Sequence, residues 1–157
     1  PRPEAPRLCQ GCLASVYRQQ GNLDKAAELQ VEGLAASTRV NGKEHHDTLR
    51  AAVNLASTYA VQGRLAEAEV LQVMVLEVRQ RVNGKEHPGT LTAAGNLAAT
   101  YSAQGQLAEA EELQTEALEA NTRVHGKEHP STMIATASLA ATYSDQGRLG
   151  GAEELQD

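Results

Sequence analysis

The chain has no phenylalanine or tryptophan, and its four tyrosines are the only aromatic residues among 157. Aromatic side chains usually supply much of the buried area in a domain of this length. Since 41% of the residues are nevertheless hydrophobic, alanine, leucine and valine must do the packing. Small side chains let helices approach closely but each buries little area, so we expect modest stability for each packed unit.

Further absences exclude whole classes of function. The net charge is −6 and no basic stripe is present, so nucleic-acid binding is not expected. No run approaches the roughly 18 apolar residues that a membrane-spanning helix needs, so no membrane partner is expected. Two cysteines in so long a chain are too few for a disulfide scaffold, and we expect a reducing, cytoplasmic setting.

The few aromatic residues mark a repeat. Four tyrosines and four glycines each recur at a step of 42 residues: Tyr17, Tyr59, Tyr101 and Tyr143, with Gly21, Gly63, Gly105 and Gly147. Segments 46–87 and 88–129 are identical at 26 of their 42 positions. A period of this size indicates an array of one supersecondary unit, in which each unit packs only against its neighbours.

Each unit contains two helical patterns. Apolar residues from Ala52 to Tyr59 recur at i, i+3, i+4 and i+7, which places them on one helical face. This first pattern stops at Gly63, where a left-handed cap is expected, and a second stripe ends at an equivalent stop, Gly84. The predicted first helices are 5–19, 47–61, 89–103 and 131–145, and the second helices are 23–40, 65–82, 107–124 and 149–156.

No segment favours a strand, so the predicted fold is all-α: an α-solenoid of antiparallel helical hairpins in a right-handed superhelix, with about 3.5 repeats. We expect one array over 1–157, with a partial repeat at 4–45, full repeats at 46–87 and 88–129, and a truncated one at 130–157. Because no polar capping helix closes the array, we expect either a piece of a longer protein or ends that stack head to tail on another copy.

One motif carries a family resemblance. Residues from Asn54 to Leu71 read Asn-Leu-Ala-Ser-Thr-Tyr-x-x-Gln-Gly-x-Leu-x-Glu-Ala-Glu-x-Leu, and the motif recurs from Asn96 to Leu113. It resembles the tetratricopeptide repeat (TPR). The 42-residue period, with Gly-Lys-Glu-His-Pro between units, resembles the longer repeats of kinesin light chains. In this resemblance the tyrosines and glycines are the signature of repeat packing.

The chain departs from the family at one repeated position. Family members often carry an aromatic residue after the leucine of the second helix, where this chain has Gln30, Gln72, Gln114 and Gln156. The glutamines predict either closer, alanine-mediated contact between helices or a polar, solvated strip.

The resemblance implies that a protein or peptide binds in a concave groove lined by the first helices. Alignment places three sets of residues on the groove face: Arg50, Val53, Asn54, Ser57, Ala60 and Val61; Thr92, Gly95, Asn96, Ala99, Ser102 and Ala103; and Ile134, Ala137, Ser138, Ala141, Ser144 and Asp145. Their spacing follows one helical face. Since only Arg50 and Arg18 offer cations there, a clamp for a terminal carboxylate is not expected.

Two interpretations of the groove asparagines stay open. Asn54 and Asn96 are candidates for hydrogen bonds to the backbone of a bound peptide, because an amide both donates and accepts. The alternative is a bridge to the neighbouring helix. Ser138 and Cys12 hold the equivalent places, so the asparagine ladder is incomplete.

Residues suggestive of other chemistry have simpler interpretations. Cys9 and Cys12 match C-x-x-C, but no second pair completes a zinc site, so two free helix thiols are expected. Histidines of the Gly-Lys-Glu-His segments lie one repeat apart and are interpreted as loop residues or helix caps. No Ser-His-Asp order or paired-carboxylate pocket stands out. We therefore expect no metal, no cofactor and no enzymatic activity.

The function predicted from sequence is a non-catalytic scaffold that binds a peptide or a helix of another protein in the groove. The alternative is a structural spacer whose near-identical repeats associate end to end. The sequence does not name the partner.

Overall fold

The computed structural model describes residues 10–147 of the chain. These residues form seven helices, namely α1 (Gln10–Gln19), α2 (Leu23–Asn41), α3 (His46–Val61), α4 (Leu65–Asn83), α5 (Pro88–Ala103), α6 (Leu107–His125) and α7 (Pro130–Asp145). Between residues 10 and 147 there is no strand. The all-α prediction is confirmed.

The predicted helix bounds agree with the structure to within one residue at every end from Gln19 to Asp145. Two parts of the prediction fall outside the described residues: the start of the first helix at 5 and the second helix at 149–156. The agreement arises because each repeat has chemically distinct signals at both ends of its helices.

Histidines begin three first helices. The Nδ1 atom of each histidine accepts a hydrogen bond from the backbone N–H two residues later, at 3.1 Å for His45, 3.0 Å for His87 and 3.2 Å for His129. Each acceptor satisfies one of the N–H groups that a helix start leaves unpaired. The interpretation of these histidines as helix caps is confirmed, and Pro88 and Pro130 follow two of them at the first helical position.

Glycines with positive φ follow both the first and the second helix of a repeat. After the first helices, the φ angles of Gly21, Gly63, Gly105 and Gly147 lie between 76° and 82°. The stop after the second helices differs from the predicted left-handed cap. Gly42 and Gly126 have ψ of 167° with φ of 90° and 86°, in a region that only glycine adopts readily.

The chain divides into two compact units, Pro1–Leu71 and Gln72–Asp157. In the first unit α1 packs on α2 and α2 on α3. The core there is a cluster of Ala27, Leu55, Ala56, Tyr59 and Ala68, with Leu34, Ala60 and Leu71 against it.

In the second unit α5 packs on α6 and α6 on α7. The buried apolar residues of these three helices are mainly alanines, with one leucine each from α5 and α7, Leu97 and Leu139. Threonines are also buried, among them Thr90, Thr100 and Thr142. The expectation that small side chains do the packing is confirmed.

The four signature tyrosines differ in their degree of burial. Tyr59 is buried, whereas Tyr17, Tyr101 and Tyr143 are half-buried. The guanidinium of Arg64 lies 4.2 Å from the centre of the Tyr59 ring and forms an ion pair with Glu67. A hydrogen bond to the Glu67 carboxylate raises the pKa of Arg64, so this cation stays charged over the ring.

Candidate peptide-binding groove

A cavity of about 410 Å³ opens between α5 and α7, with α6 as its floor. Six residues predicted for the groove line it: Thr92, Gly95, Asn96 and Ala99 from α5, with Ile134 and Ser138 from α7. All six are exposed. One face of each first helix in the second unit therefore borders the same opening.

The other predicted groove residues of the second unit do not line this cavity. Ala103 on α5 and Ala137, Ala141, Ser144 and Asp145 on α7 are exposed. Ser102 is half-buried, and its hydroxyl has no hydrogen-bond partner among the described residues.

In the first unit the predicted face of α3 is also accessible. Arg50, Asn54 and Val61 are exposed, whereas Val53, Ser57 and Ala60 are half-buried. Arg50 lies 3.4 Å from the Asp47 carboxylate, so its charge is partly matched within its own helix.

The two groove asparagines make no hydrogen bond through their side chains to any residue between 10 and 147. Neither amide therefore bridges to a neighbouring helix in the described part of the chain. The Asn96 amide lines the cavity and is open to hydrogen bonding.

The floor of the cavity contains Gln114, one of the four repeated glutamines for which the sequence predicted either alanine-mediated contact or a polar, solvated strip. Gln114 is only 8% exposed, and its Oε1 accepts a hydrogen bond of 2.6 Å from the Thr142 hydroxyl. The polar strip is thus buried at Gln114, and it ties α6 to α7. Gln30 and Gln72 are half-buried, and Gln156 lies outside the described residues.

Asn121 is a floor residue that the sequence analysis missed. It is 6% exposed, and its Nδ2 donates to the Ala117 carbonyl one turn earlier at 2.8 Å. The sequence did carry a signal, because the equivalent residue one repeat earlier is Arg79. Between otherwise similar repeats, this exchange replaces a long cationic side chain with a short neutral one.

The cavity is electrically neutral. None of the residues that line it is Asp, Glu, Lys or Arg. His125 is its one titratable residue, and the His125 ring stacks on that of His129 with centroids 4.3 Å apart. The lining therefore offers amides, hydroxyls and small apolar groups to a ligand.

Charged contacts lie on a different surface of the second unit. Arg123 Nε donates to Glu86 Oε1 at 2.6 Å, and both side chains are exposed. These two residues border a separate opening of about 230 Å³ between α4, α5 and α6. The surface of this unit thus separates a neutral opening from a charged one.

The expectation of two free thiols is wrong for Cys12, which takes part in a disulfide bond. Cys9 lies outside the described residues. Across residues 10–147, no three His, Cys, Asp or Glu side chains group as metal ligands would. Nor does that part of the chain contain a helix with the length and apolar character to cross a bilayer.

The family model of the tetratricopeptide repeat matches residues 9–72, 47–122 and 95–157. Two solved structures of a putative kinesin light chain from Podosopora anserina, with nearly identical TPR-like repeats, align at 32% identity. One is a variant with a single substitution and gives a TM-score of 0.85, and the other gives 0.84. Each alignment covers 93% of this chain and 69% of that chain.

BtubC (BKLC) from P. vanneervenii aligns with a TM-score of 0.83 over 99% of this chain and 63% of that one. At 24% identity this likeness supports the fold alone. Among curated proteins, none matches the chain significantly. The family match spans nearly the whole sequence, and the chain belongs to the tetratricopeptide repeat family.

Proposed function

We propose that this chain is a non-catalytic protein-interaction scaffold that holds a peptide or helix of another protein in the groove between α5 and α7. The observation that carries the proposal is the coincidence of the cavity with the predicted groove face. Six residues chosen by repeat alignment border one accessible opening of about 410 Å³. Membership of a family of interaction modules supports the same function.

The lining suits a peptide better than a charged small molecule. Main-chain amides of a peptide need both donors and acceptors, and the exposed Asn96 amide supplies both. Ile134, 68% exposed, offers apolar contact beside it. On α3, Arg50, Val53, Asn54, Ser57 and Val61 stay predicted contacts through their 42-residue offset from these positions.

The test is selection from a displayed library of random peptides, followed by titration of the enriched peptides with groove variants. Asn96→Glu and Ala99→Glu each place a carboxylate in the wall of a neutral cavity, and binding is expected to fall at least tenfold. Ala108→Glu is the matched control, because Ala108 is exposed on α6 and does not line the cavity.

Far-ultraviolet circular dichroism checks that each variant stays helical. Failure to enrich any peptide, or equal binding by Asn96→Glu and Ala108→Glu, would overturn the groove assignment. The double variant Asn54→Glu with Asn96→Glu extends the test to α3.

End-to-end self-association stays a separate prediction. The terminal segments on which it rests lie outside the described residues, and light scattering against concentration tests it directly. A reducing, cytoplasmic location is likewise proposed only from the low cysteine count. The disulfide at Cys12 does not favour it. Counting the alkylated cysteines by mass spectrometry, in protein isolated with an alkylating agent and not reduced, decides which redox state the chain holds.

A further inference from the structure

We propose that the second unit contains a specificity pocket for a neutral amide group, formed at the junction of α6 and α7 and controlled by Asn121. This inference rests on the proposed function and names the chemical class that the groove selects. The occupant is an uncharged segment of a partner protein that presents a side-chain or main-chain amide.

The first support is hydrogen-bonding capacity that the fold leaves unused. Asn121 donates a hydrogen bond from Nδ2 to the Ala117 carbonyl, and its Oδ1 has no hydrogen-bond partner in the described part of the chain. The Oε1 atom of Gln114 accepts a hydrogen bond from Thr142, and its Nε2 likewise has no hydrogen-bond partner among residues 10–147. Each spare atom keeps some solvent contact, and both residues line the cavity.

These spare groups match an amide ligand. Asn121 offers an acceptor and Gln114 offers a donor, and a peptide segment presents amide groups of both kinds. They lie seven residues apart on α6, which is about 10 Å along a helix axis. About three residues of extended chain span the same distance, so one peptide segment can contact both.

Charge supports the same class. A carboxylate or ammonium entering this cavity would lose water and meet no opposite charge from Asp, Glu, Lys or Arg. A neutral peptide segment loses less hydration and regains hydrogen bonds, with one group at Asn121 and another at Gln114. The cavity therefore discriminates against charged side chains chiefly through the cost of their desolvation.

The preceding repeat carries a longer, cationic residue at the place of Asn121. Arg79, the equivalent of Asn121, reaches the start of α5 and its Nη1 donates to the Gly89 carbonyl at 2.7 Å. Its counterpart Asn121 bonds within α6 instead, and Ser131, the equivalent of Gly89, lines the cavity. Arginine and asparagine thus make different contacts at equivalent places in successive repeats.

This repeat-to-repeat difference supplies the test variant. Asn121→Arg copies an arrangement that the chain already contains. A Cβ atom at Gly89 would lie 3.7 Å from Arg79 Nη1, an ordinary contact, so the Cβ of Ser131 is compatible with an arginine at position 121. Val124→Arg is the matched control, because Val124 is exposed in the last turn of α6 and does not line the cavity.

The probes are N-methylacetamide, acetate and methylammonium, titrated separately into isotopically labelled chain and followed by NMR. We expect saturable shifts of the Gln114 and Asn121 side-chain amides with N-methylacetamide only. In Asn121→Arg the Gln114 and Ala117 signals should respond at least tenfold more weakly, whereas Val124→Arg should match the parent chain. Asn121→Ser, which keeps the space but removes the amide, should weaken binding at least threefold.

Three results would overturn the pocket: no saturable response in the parent chain, a response in Asn121→Arg and Asn121→Ser equal to that of the parent chain, or equal saturation by acetate. The two proposals fail separately. If selected peptides bind and lose affinity in Asn96→Glu but not in Asn121→Arg, the pocket is wrong and the groove stands. If N-methylacetamide binds but no peptide does, the scaffold function is wrong.

Discussion

Two junctions of the second unit hold equivalent places in successive repeats, and among their differences is the exchange of Arg79 for Asn121. Where α4 meets α5, Arg79 bonds the Gly89 carbonyl and occupies the start of the next helix. Where α6 meets α7, Asn121 bonds within its own helix and lines the neutral cavity. In this chain, positions that are identical between repeats form the shared helical fold, and positions that differ between repeats, such as 79 and 121, give each junction its own contacts.

The largest expected effect comes from shortening the buried leucines, which tests whether α5 and α7 are packed equally tightly. Leu97 and Leu139 are equivalent leucines, 3% and 2% exposed. Leu97→Ala and Leu139→Ala should each lower the free energy of unfolding by about 2–5 kcal/mol, because each leaves an unfilled space. Urea unfolding followed by circular dichroism measures both. A loss confined to one variant would show that the junctions pack differently.

The next effect concerns the junction of α4 and α5. Arg79→Asn removes a hydrogen bond donated by a charged group to Gly89, and should cost about 2 kcal/mol of unfolding free energy. Asn121→Arg, the reverse exchange, should cause no loss. Urea midpoints of the two variants decide this point. Equal destabilisation by both exchanges would contradict the assigned role of the arginine.

The histidine caps should contribute equally at both junctions. His87→Ala and His129→Ala each remove an acceptor for the first turn of a helix, at a cost of about 1 kcal/mol. Asparagine is a favoured cap, so His87→Asn and His129→Asn should retain the stability of the parent chain. Thermal unfolding tests the four variants, and full stability of the alanine variants would exclude a capping role.

A pair of glycine variants should change stability in opposite directions. Gly95 lies within α5 with no atom near the position of an added Cβ, so Gly95→Ala should stabilise the chain by up to about 1 kcal/mol. Gly126 has φ of 86°, so Gly126→Ala should destabilise it. Melting temperatures check both signs. A stabilising Gly126→Ala would refute the need for glycine at the stop after α6.

The smallest expected effect concerns the charged surface. Arg123 and Glu86 form an exposed ion pair, with side chains 63% and 49% accessible. Glu86→Gln should therefore cost less than about 1 kcal/mol and should lose its effect at high salt. Urea unfolding at two salt concentrations measures this cost. A larger, salt-independent loss would mean that the pair is structurally essential to the junction.

The helix bounds could be predicted from the sequence because the same local residues recur at each helix boundary. Histidine caps and positive-φ glycines start and end helices through contacts within a few residues, so their recurrence every 42 residues can be recognised in the sequence. Gln114 was harder to interpret, because its partner Thr142 lies 28 residues away. The exchange of Arg79 for Asn121 was visible in the sequence, but its consequence depends on how far each side chain reaches, which periodicity does not reveal.

The most direct test of the central claim is NMR shift mapping of a library-selected peptide on the labelled chain. The account predicts saturable shifts concentrated at Thr92, Asn96, Asn121 and Ile134, around the neutral cavity. Shifts absent there and centred on Glu86 and Arg123, at the charged opening, would contradict it.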